Sequence, residues 1–520
     1  MLLTLLGGSM VTSVFMANFA WVMLGVNWLL EGWSRREGGP GQSLWRERWQ
    51  MAKESRLLQA FVALYLLLIV GMLWTADLRH GMEVLQVKLP LLVVPLVLLT
   101  SRPVTGRARR VVIGAYIGTV LVVSLIGVVR LLTIPDLPYR DAVPYISHIR
   151  FALNCCVVVY LLVAGEWWIE GDGRGRKWRT LRRILSALVV LWMLCFLVLL
   201  HSYTGLAILM VVALVVMLFY YRRWLPIMLW CLVVGSVTFL VCRDVKDYYR
   251  MIPLATAPLP QYTAAGNPYL HVNDGIIENG NYVYNYICDQ EMRAEWSRRS
   301  AVPFDTLTAS GYSVHANLIR YLNAIGATKD SVGVAMLTPA QIAAVERGVA
   351  NPVYESHDPL RKMVYTLLLE REFYVHTQAV RGFTMLQRLE LWKATWDVMV
   401  HHPWFGVGTG DVLGAMDRRL AASGSELAGK GMHSHNQYLA LLAALGVVGM
   451  ALVVVLFVRP LCRRRGALKA AFTPFMLAWL VTVVISMLTE DTLDTLMGIL
   501  VSTYFLAFRP CTNTTRSTTE

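Results

Sequence analysis

The sequence predicts an all-α, polytopic membrane protein, and three observations carry that expectation. Apolar residues make up 56% of the 520 residues, against roughly 45–50% in soluble chains. They are gathered into runs of about 18–25 residues, the length that crosses a hydrocarbon core. Lysine and arginine are concentrated in alternate connecting segments. Lipid offers the backbone no hydrogen bonds, so each long apolar run is expected to be a helix.

Spans are predicted near residues 10–30, 54–75, 82–100, 107–131, 149–168, 180–200, 204–221, 223–242, 434–458, 470–488 and 493–509, eleven in all, or twelve if residues 1–30 hold two short ones. The segments Arg35 to Arg56, Arg102 to Arg110, Arg174 to Arg183, Arg222 to Arg223 and Arg459 to Lys469 are basic. They interleave with Asp77 to His80, Leu132 to Ser147, His201 to Tyr203 and Thr489 to Thr492, which are poor in net positive charge. By the positive-inside rule the basic set is cytoplasmic. The net charge of +14 is therefore read as topology and not as a nucleic-acid footprint.

The same counting divides the chain into an N-terminal transmembrane bundle (1–242), a large, mostly helical outer loop domain (243–433), C-terminal transmembrane helices (434–509) and a polar cytoplasmic tail (510–520). The loop domain faces the periplasm if the cell has two membranes, and the protein is then a multi-pass inner-membrane protein. The loop is too long to be a plain connector. It carries turn signals at Asn279-Gly280, Ser310-Gly311 and Gly406 to Gly410, and amphipathic patterns over Val314 to Ala324 and Leu386 to Val400. No cleavable leader is evident, because the start lacks a charged n-region and continues into a span. The eight cysteines give no framework. Cys155, Cys156, Cys195 and Cys231 lie in apolar runs, and only Cys242 and Cys288 suggest a pair.

The most informative segment is Met432-His433-Ser434-His435-Asn436-Gln437-Tyr438-Leu439, where the loop re-enters the membrane. Polar groups there are either paired or functional. One reading makes them a helix cap through Ser434 or Asn436. The other makes them a site, with His433 and His435 as a metal-type His-x-His pair or as proton carriers. Both readings stay open on the residues alone.

A second segment holds Arg388 and Trp392, one helical turn apart, followed by Pro403-Trp404-Phe405-Gly406-Val407-Gly408-Thr409-Gly410. Arginine suits bidentate phosphate recognition. The glycine turn is expected either to bring backbone N–H groups to an anion or simply to end an amphipathic helix. A third group, His148, Arg150, Asn154, Ser202, Tyr203, Glu490, Asp491 and Asp494, sits at outer span ends. These are solvated anchors, or a carboxylate among them orients His435 through its second ring nitrogen.

These residues resemble the O-antigen ligase family and its relatives, the O-antigen polymerases and protein O-oligosaccharyltransferases. His435-Asn436, nine residues, Gly446 and then Gly449 look like the family's His-Asn pattern. Arg388-x-x-x-Trp392 with Pro403 and the Gly-x-Gly turn resembles its upstream helix, and the "HIRFALN" around Arg150 resembles its Arg-Phe segment. The resemblance is specific over residues 385–450 and architectural elsewhere. Ser202-Tyr203 departs from the Ser-Arg that many members carry, and Asp247 to Arg381 matches no motif.

The resemblance implies a glycosyltransferase that moves a glycan from a polyprenyl diphosphate to an acceptor hydroxyl, with inversion and without metal or other cofactor. The acceptor is a lipid A-core sugar in the ligases. A growing glycan or a protein is the alternative acceptor, and a polysaccharide or lipid transporter is the remaining reading. His435 and Asn436 are the implied catalytic residues. Arg388, Arg150 and Arg381 are the diphosphate ligands, and Trp392, His433, Glu490 and Asp491 support them. The partners are a lipid-linked donor, a lipid or glycan acceptor and the bilayer, with no nucleic acid.

Overall fold

The computed structural model describes residues 1–34, 42–135, 137–166, 176–221, 224–256, 258–272, 275–308, 311–377, 384–460 and 472–509. Eight helices among them are long and apolar enough to cross a membrane: Val14–Gly32, Arg56–Trp74, Leu78–Thr100, Gly106–Thr133, Lys177–Leu199, Tyr203–Tyr220, Ile227–Tyr249 and Gln437–Val458. His148–Val163, Pro474–Ser486 and Leu496–Phe508 are shorter apolar helices. Together they fall on the predicted runs. The extra helix near the start, Leu2–Ser9, has 8 residues, too few to span a bilayer, and packs on Val14–Ser34 and Gly106–Thr133.

The chain forms two compact units, Met1–Met228 with Glu390–Glu520, and Leu229–Leu389. The expected boundaries lay at 242/243 and 433/434. Residues 390–433 group instead with the apolar helices, and most of the Trp224–Tyr249 helix groups with the loop unit.

In the larger unit, Arg56–Gly71 packs on the Gln437–Val458 helix, and His148–Val163 packs on Arg176–Leu199 and Pro474–Ser486. Leu64, Leu68, Phe151, Phe196, Phe475 and Phe505 are buried between helices. Val122, Leu125, Leu188, Leu191 and Val455 point outward and are exposed. In water that arrangement would be an aggregation surface; against acyl chains it is the favourable one.

The Gln437–Val458 helix is broken at Gly446, where φ is 66° and ψ −174°. The break frees backbone groups that lipid cannot satisfy. The segment 403–408 repairs them. Val407 and Gly408 N–H donate to the Ala443 and Ala444 carbonyls at 2.9 and 3.1 Å, while Val447 and Val448 N–H donate to Pro403 and Trp404 O at 2.7 and 3.2 Å. A Cβ on Gly446 would lie 2.3 Å from Trp404 O, and one on Gly406 would lie 2.4 Å from Ala443 O. Glycine is required at both positions by close approach and by positive φ.

Among the described residues the smaller unit consists of helices and irregular segments with one hairpin. Ile277–Glu278 pairs antiparallel with Asn281–Tyr282. Asn279 and Gly280 join them at φ 54° and 71°, the double positive φ that an Asn-Gly turn supplies. Trp296, Met292, Leu318, Leu322 and Val345 form its core. Arg320 makes two bonds to the buried Glu278 at 2.9 and 2.9 Å, and Asn351 donates to the same carboxylate at 2.8 Å. Lys329 is fully buried and donates to Asn323 Oδ1 at 2.9 Å; burial pulls its pKa down to about 7. The suggested Cys242–Cys288 pair does not form. Both are free thiols, Cys288 buried and Cys242 exposed.

The repaired break predicts a large asymmetry between two glycines. Gly446→Ala forces a left-handed backbone onto a residue with a side chain, a cost on the order of 1–3 kcal/mol, and also pushes Trp404 away. Gly118 is helical with open space around it. Thermal unfolding of detergent-purified protein is expected to drop by several degrees for Gly446→Ala and not for Gly118→Ala. Equal midpoints would contradict the repair.

Candidate active site

The start of the Gln437–Val458 helix is built by three consecutive polar residues. Asn436 is its N-cap, and the Asn436 side-chain oxygen accepts from Tyr438 and Leu439 N–H, each at 3.1 Å. The Asn436 carbonyl oxygen therefore serves the cap, one of the two readings that the residues left open. The Ser434 hydroxyl lies 3.0 Å from Asn436 O and 3.1 Å from Asp491 Oδ1, so one of them takes its proton, and it accepts from Asn436 N–H at 3.2 Å.

His435 lies between them at φ 51°, a left-handed conformation uncommon for a residue with a side chain. Its backbone N–H donates to Asp491 Oδ2 at 2.8 Å. The carboxylate thus holds the main chain of His435. It does not take the second ring nitrogen, as the sequence had suggested, because the left-handed turn points the N–H at Asp491. The partly exposed imidazole makes no hydrogen bond to the described residues. A backbone outlier fixed by a buried carboxylate, with a ring left for other use, is the form that stored strain takes at functional sites.

Two carboxylates in the turn around residues 490–494 are driven apart in pKa. Burial and the neighbouring Asp494 raise Asp491, opposed in part by the His435 N–H and by the His435 and His433 rings. Asp494 is also shifted upward by burial. Its ion pair with Lys88 at 2.8 Å and the Gln437 side-chain N–H at 3.2 Å outweigh that and hold it below the usual carboxylate range. Gln437 is fully buried, and its oxygen accepts from Leu493 N–H at 2.6 Å. This amide joins the Asp491 carboxylate in tying the turn to the helix start. Glu490 is buried beside Asp491, and His433 is exposed.

Sequence reasoning passed over Lys88, which ends the helix Leu78–Lys88 just before Pro90 starts the next one. The signal was present: a lysine inside an apolar run is expensive unless paired.

Arg150 stands in the first turn of His148–Val163. Its N–H is capped by Ser147 Oγ at 3.4 Å, and its carbonyl accepts from Asn154 Nδ2 at 2.8 Å. Tyr116 donates to Asn154 Oδ1 at 2.7 Å. Asn154 thus braces the turn that carries Arg150. No hydrogen bond joins Arg150 to the 433–437 segment.

The glycine turn does not offer its N–H groups to an anion. Gly406 N–H donates to His402 O, Val407 and Gly408 donate to the broken helix, and Thr409 donates to Gly71 O at 3.4 Å. Gly410 donates to Thr75 Oγ1 at 3.3 Å. The Asp411 carboxylate accepts from Ala76 and Asp77 N–H at 2.6 and 2.8 Å. The turn is a clasp, and its donors are consumed inside the protein.

Residues 332–454 match the model of the O-antigen ligase family. That segment is therefore similar to an O-antigen ligase domain. The chain has no match among curated proteins. The matched segment covers about a quarter of the chain. It includes Arg388, Trp392, His433, His435 and the Gly446 break, while Lys88, Arg150, Glu490 and Asp491 lie outside its bounds. Arg388 belongs to the Leu229–Leu389 unit and His435 to the other. Within the former, Glu370 lies against the start of the Thr384–His401 helix that bears Arg388. Burial pushes Glu370 up to about 7 against the opposing backbone bonds of Met385 and Leu386. The Trp392 indole N–H is buried without a partner among the described residues. Arg381 lies outside the described residues.

The carboxylate pair yields a sign-definite test. Asp494, lowered on folding, contributes stability above the usual carboxylate range and loses it as pH falls. Lys88→Met leaves that carboxylate mostly buried and unpaired, a cost of about 3 kcal/mol. The deficit is expected to be largest at neutral pH and to shrink toward pH ~4. Lys88→Met with Asp494→Asn should recover most of it. A deficit independent of pH, or no recovery in the double variant, would contradict the pairing.

Proposed function

We propose that the protein transfers a glycan from a polyprenyl diphosphate to an acceptor hydroxyl at the outer face of the cytoplasmic membrane, with His435 as base. The observation that carries this reading is the strained His435 backbone, held by Asp491 at the mouth of a membrane helix inside the O-antigen ligase match. The acceptor oxygen attacks the anomeric carbon while its proton passes to the imidazole. The bond from that carbon to the diphosphate oxygen breaks, and its electron pair leaves with the lipid diphosphate. One displacement inverts the anomeric centre. The donor bond stores the energy, so no nucleoside triphosphate enters.

Charge grows on the departing diphosphate, so fixed cations act most strongly there. Arg388 and Arg150 are assigned to it, with Arg381 as the third. Trp392, one turn from Arg388, supplies an aromatic wall. Histidine as a residue type titrates near 6.5, close to working pH, which suits a general base. Asp491 and Asn436 are positioning residues for His435 in this scheme, and Glu490 and His433 set the charge around the turn. The positive-inside reading of the basic connecting segments supports an outer position for this face.

His435→Ala is expected to lower glycan attachment by at least about 100-fold, the lower range for removing a general base, with the protein still in the membrane. Arg388→Ala should lose most activity, and Arg388→Lys should recover little, because an ammonium lacks the planar fork. Attachment at the normal rate in His435→Ala overturns the base assignment; full activity in Arg388→Lys reduces Arg388 to charge attraction. In a deletion strain, loss of all long chains with lipid-linked glycan accumulating supports a ligase. Single-repeat decoration supports the polymerase reading instead.

A further inference from the structure

A cavity of about 270 Å³ lies where the Thr384–His401 helix, the glycine turn and the Val412–Ala422 helix meet. Val398, Val407 and Ala415 give it an apolar lining, Ala422 stands at its edge, and His402, Arg418 and Arg419 supply its polar groups. All belong to the unit that contains residues 390–520, and none has a role in the glycosyl transfer described above.

The charge balance of this cavity is positive. Arg419 Nε is 3.2 Å from Asp397 Oδ2, and the other Asp397 oxygen faces His401 at 3.5 Å. Arg418 has no carboxylate partner among the described residues. Its neighbour Asp417 is engaged, accepting from Gly429 N–H at 2.7 Å. The lining holds no carboxylate and no Trp, Tyr or Phe ring, the groups that usually grip and stack a neutral sugar. It holds two guanidinium groups above an apolar floor, which suits a phosphate attached to something greasy.

The surroundings point to where such a phosphate would come from. The chain between His402 and Val407 exposes Trp404 (67%) and Phe405 (60%), and Phe405 packs on Trp74. On the Thr384–His401 helix, Val398 and His402 line the cavity while Trp396 and Val400 are exposed on another side. Exposed tryptophan and phenylalanine at a helix end form the belt that sits at the lipid headgroup level. A cationic cavity beside such exposed aromatic side chains suits a phospholipid phosphate.

We propose that this cavity seats the phosphate of a membrane lipid headgroup, gripped by Arg418 and Arg419, with the apolar floor receiving the first carbons of the lipid.

The test uses the full chain purified in dodecyl maltoside and three probes: dioctanoyl phosphatidic acid, dioctanoylglycerol and inorganic phosphate, with binding read by intrinsic tryptophan fluorescence. Phosphatidic acid is expected to bind at least tenfold more tightly than either of the others. Arg418→Ala, which leaves the Arg419–Asp397 pair intact, should weaken it about tenfold, the loss of one charge-assisted contact. The thermal midpoint should not move. Ala422→Trp, which narrows the cavity without changing charge, should weaken it similarly. Dioctanoylglycerol binding as well as phosphatidic acid overturns the phosphate seat, and inorganic phosphate binding as well overturns the lipid. Unchanged affinity in Arg418→Ala and Ala422→Trp overturns the location. None of these readings involves donor glycan, so the seat and the base assignment at His435 fail separately.

Discussion

A membrane helix that stops being helical at Gly446 must find partners for its freed backbone groups, and the segment 403–408 provides them through four hydrogen bonds. That requirement organises one face of the larger unit. The glycine turn is drawn onto the break, Thr409 and Gly410 then reach Gly71 and Thr75, and Asp411 clips the turn at Ala76 and Asp77. At the other end of the same helix, Asn436, Gln437 and Asp491 close the cap that presents His435. The candidate base is therefore mounted on a helix whose two irregularities are both fully hydrogen-bonded, as a rigid site demands.

Electrostatics divide the labour within the last outer turn. Lys88 neutralises Asp494, which ties Gln437, while Asp491 has no lysine and is raised by burial and by its neighbour. Two carboxylates close together seldom ionise equally, and the environment decides which keeps its proton. Here Asp491 bonds the Ser434 hydroxyl and the His435 N–H while Asp494 bonds Lys88 and Gln437, so the two carboxylates brace different parts of the helix start.

Much of the architecture was legible in the sequence because it follows from one-dimensional signals. Spans are runs of apolar residues, the Val314–Ala324 helix shows its own period, and Asn279-Gly280 names its turn type. The candidate site was legible only as a set of residue types. That Asn436 caps, that Asp491 takes a main-chain N–H, and that Lys88 meets Asp494 are pairings between residues up to about 400 positions apart, which no local pattern encodes. The glycine turn misled for a physical reason. Consecutive N–H groups look the same in sequence whether they serve an anion or a broken helix, and only the positive φ at Gly446 distinguishes the two. The Cys242–Cys288 suggestion failed because sequence shows oxidisable residues and not their distance or burial.

The central chemical claim is a single in-line displacement at the anomeric carbon with His435 taking the acceptor's proton. The most direct measurement is the anomeric configuration of the new linkage, read by proton NMR on product made from a donor of known configuration. The account predicts inversion, an α-linked diphosphate donor giving a β-linked product. Retention would require a glycosyl-enzyme intermediate and a nucleophilic side chain, and would contradict the assignment of His435 as base in a one-step transfer.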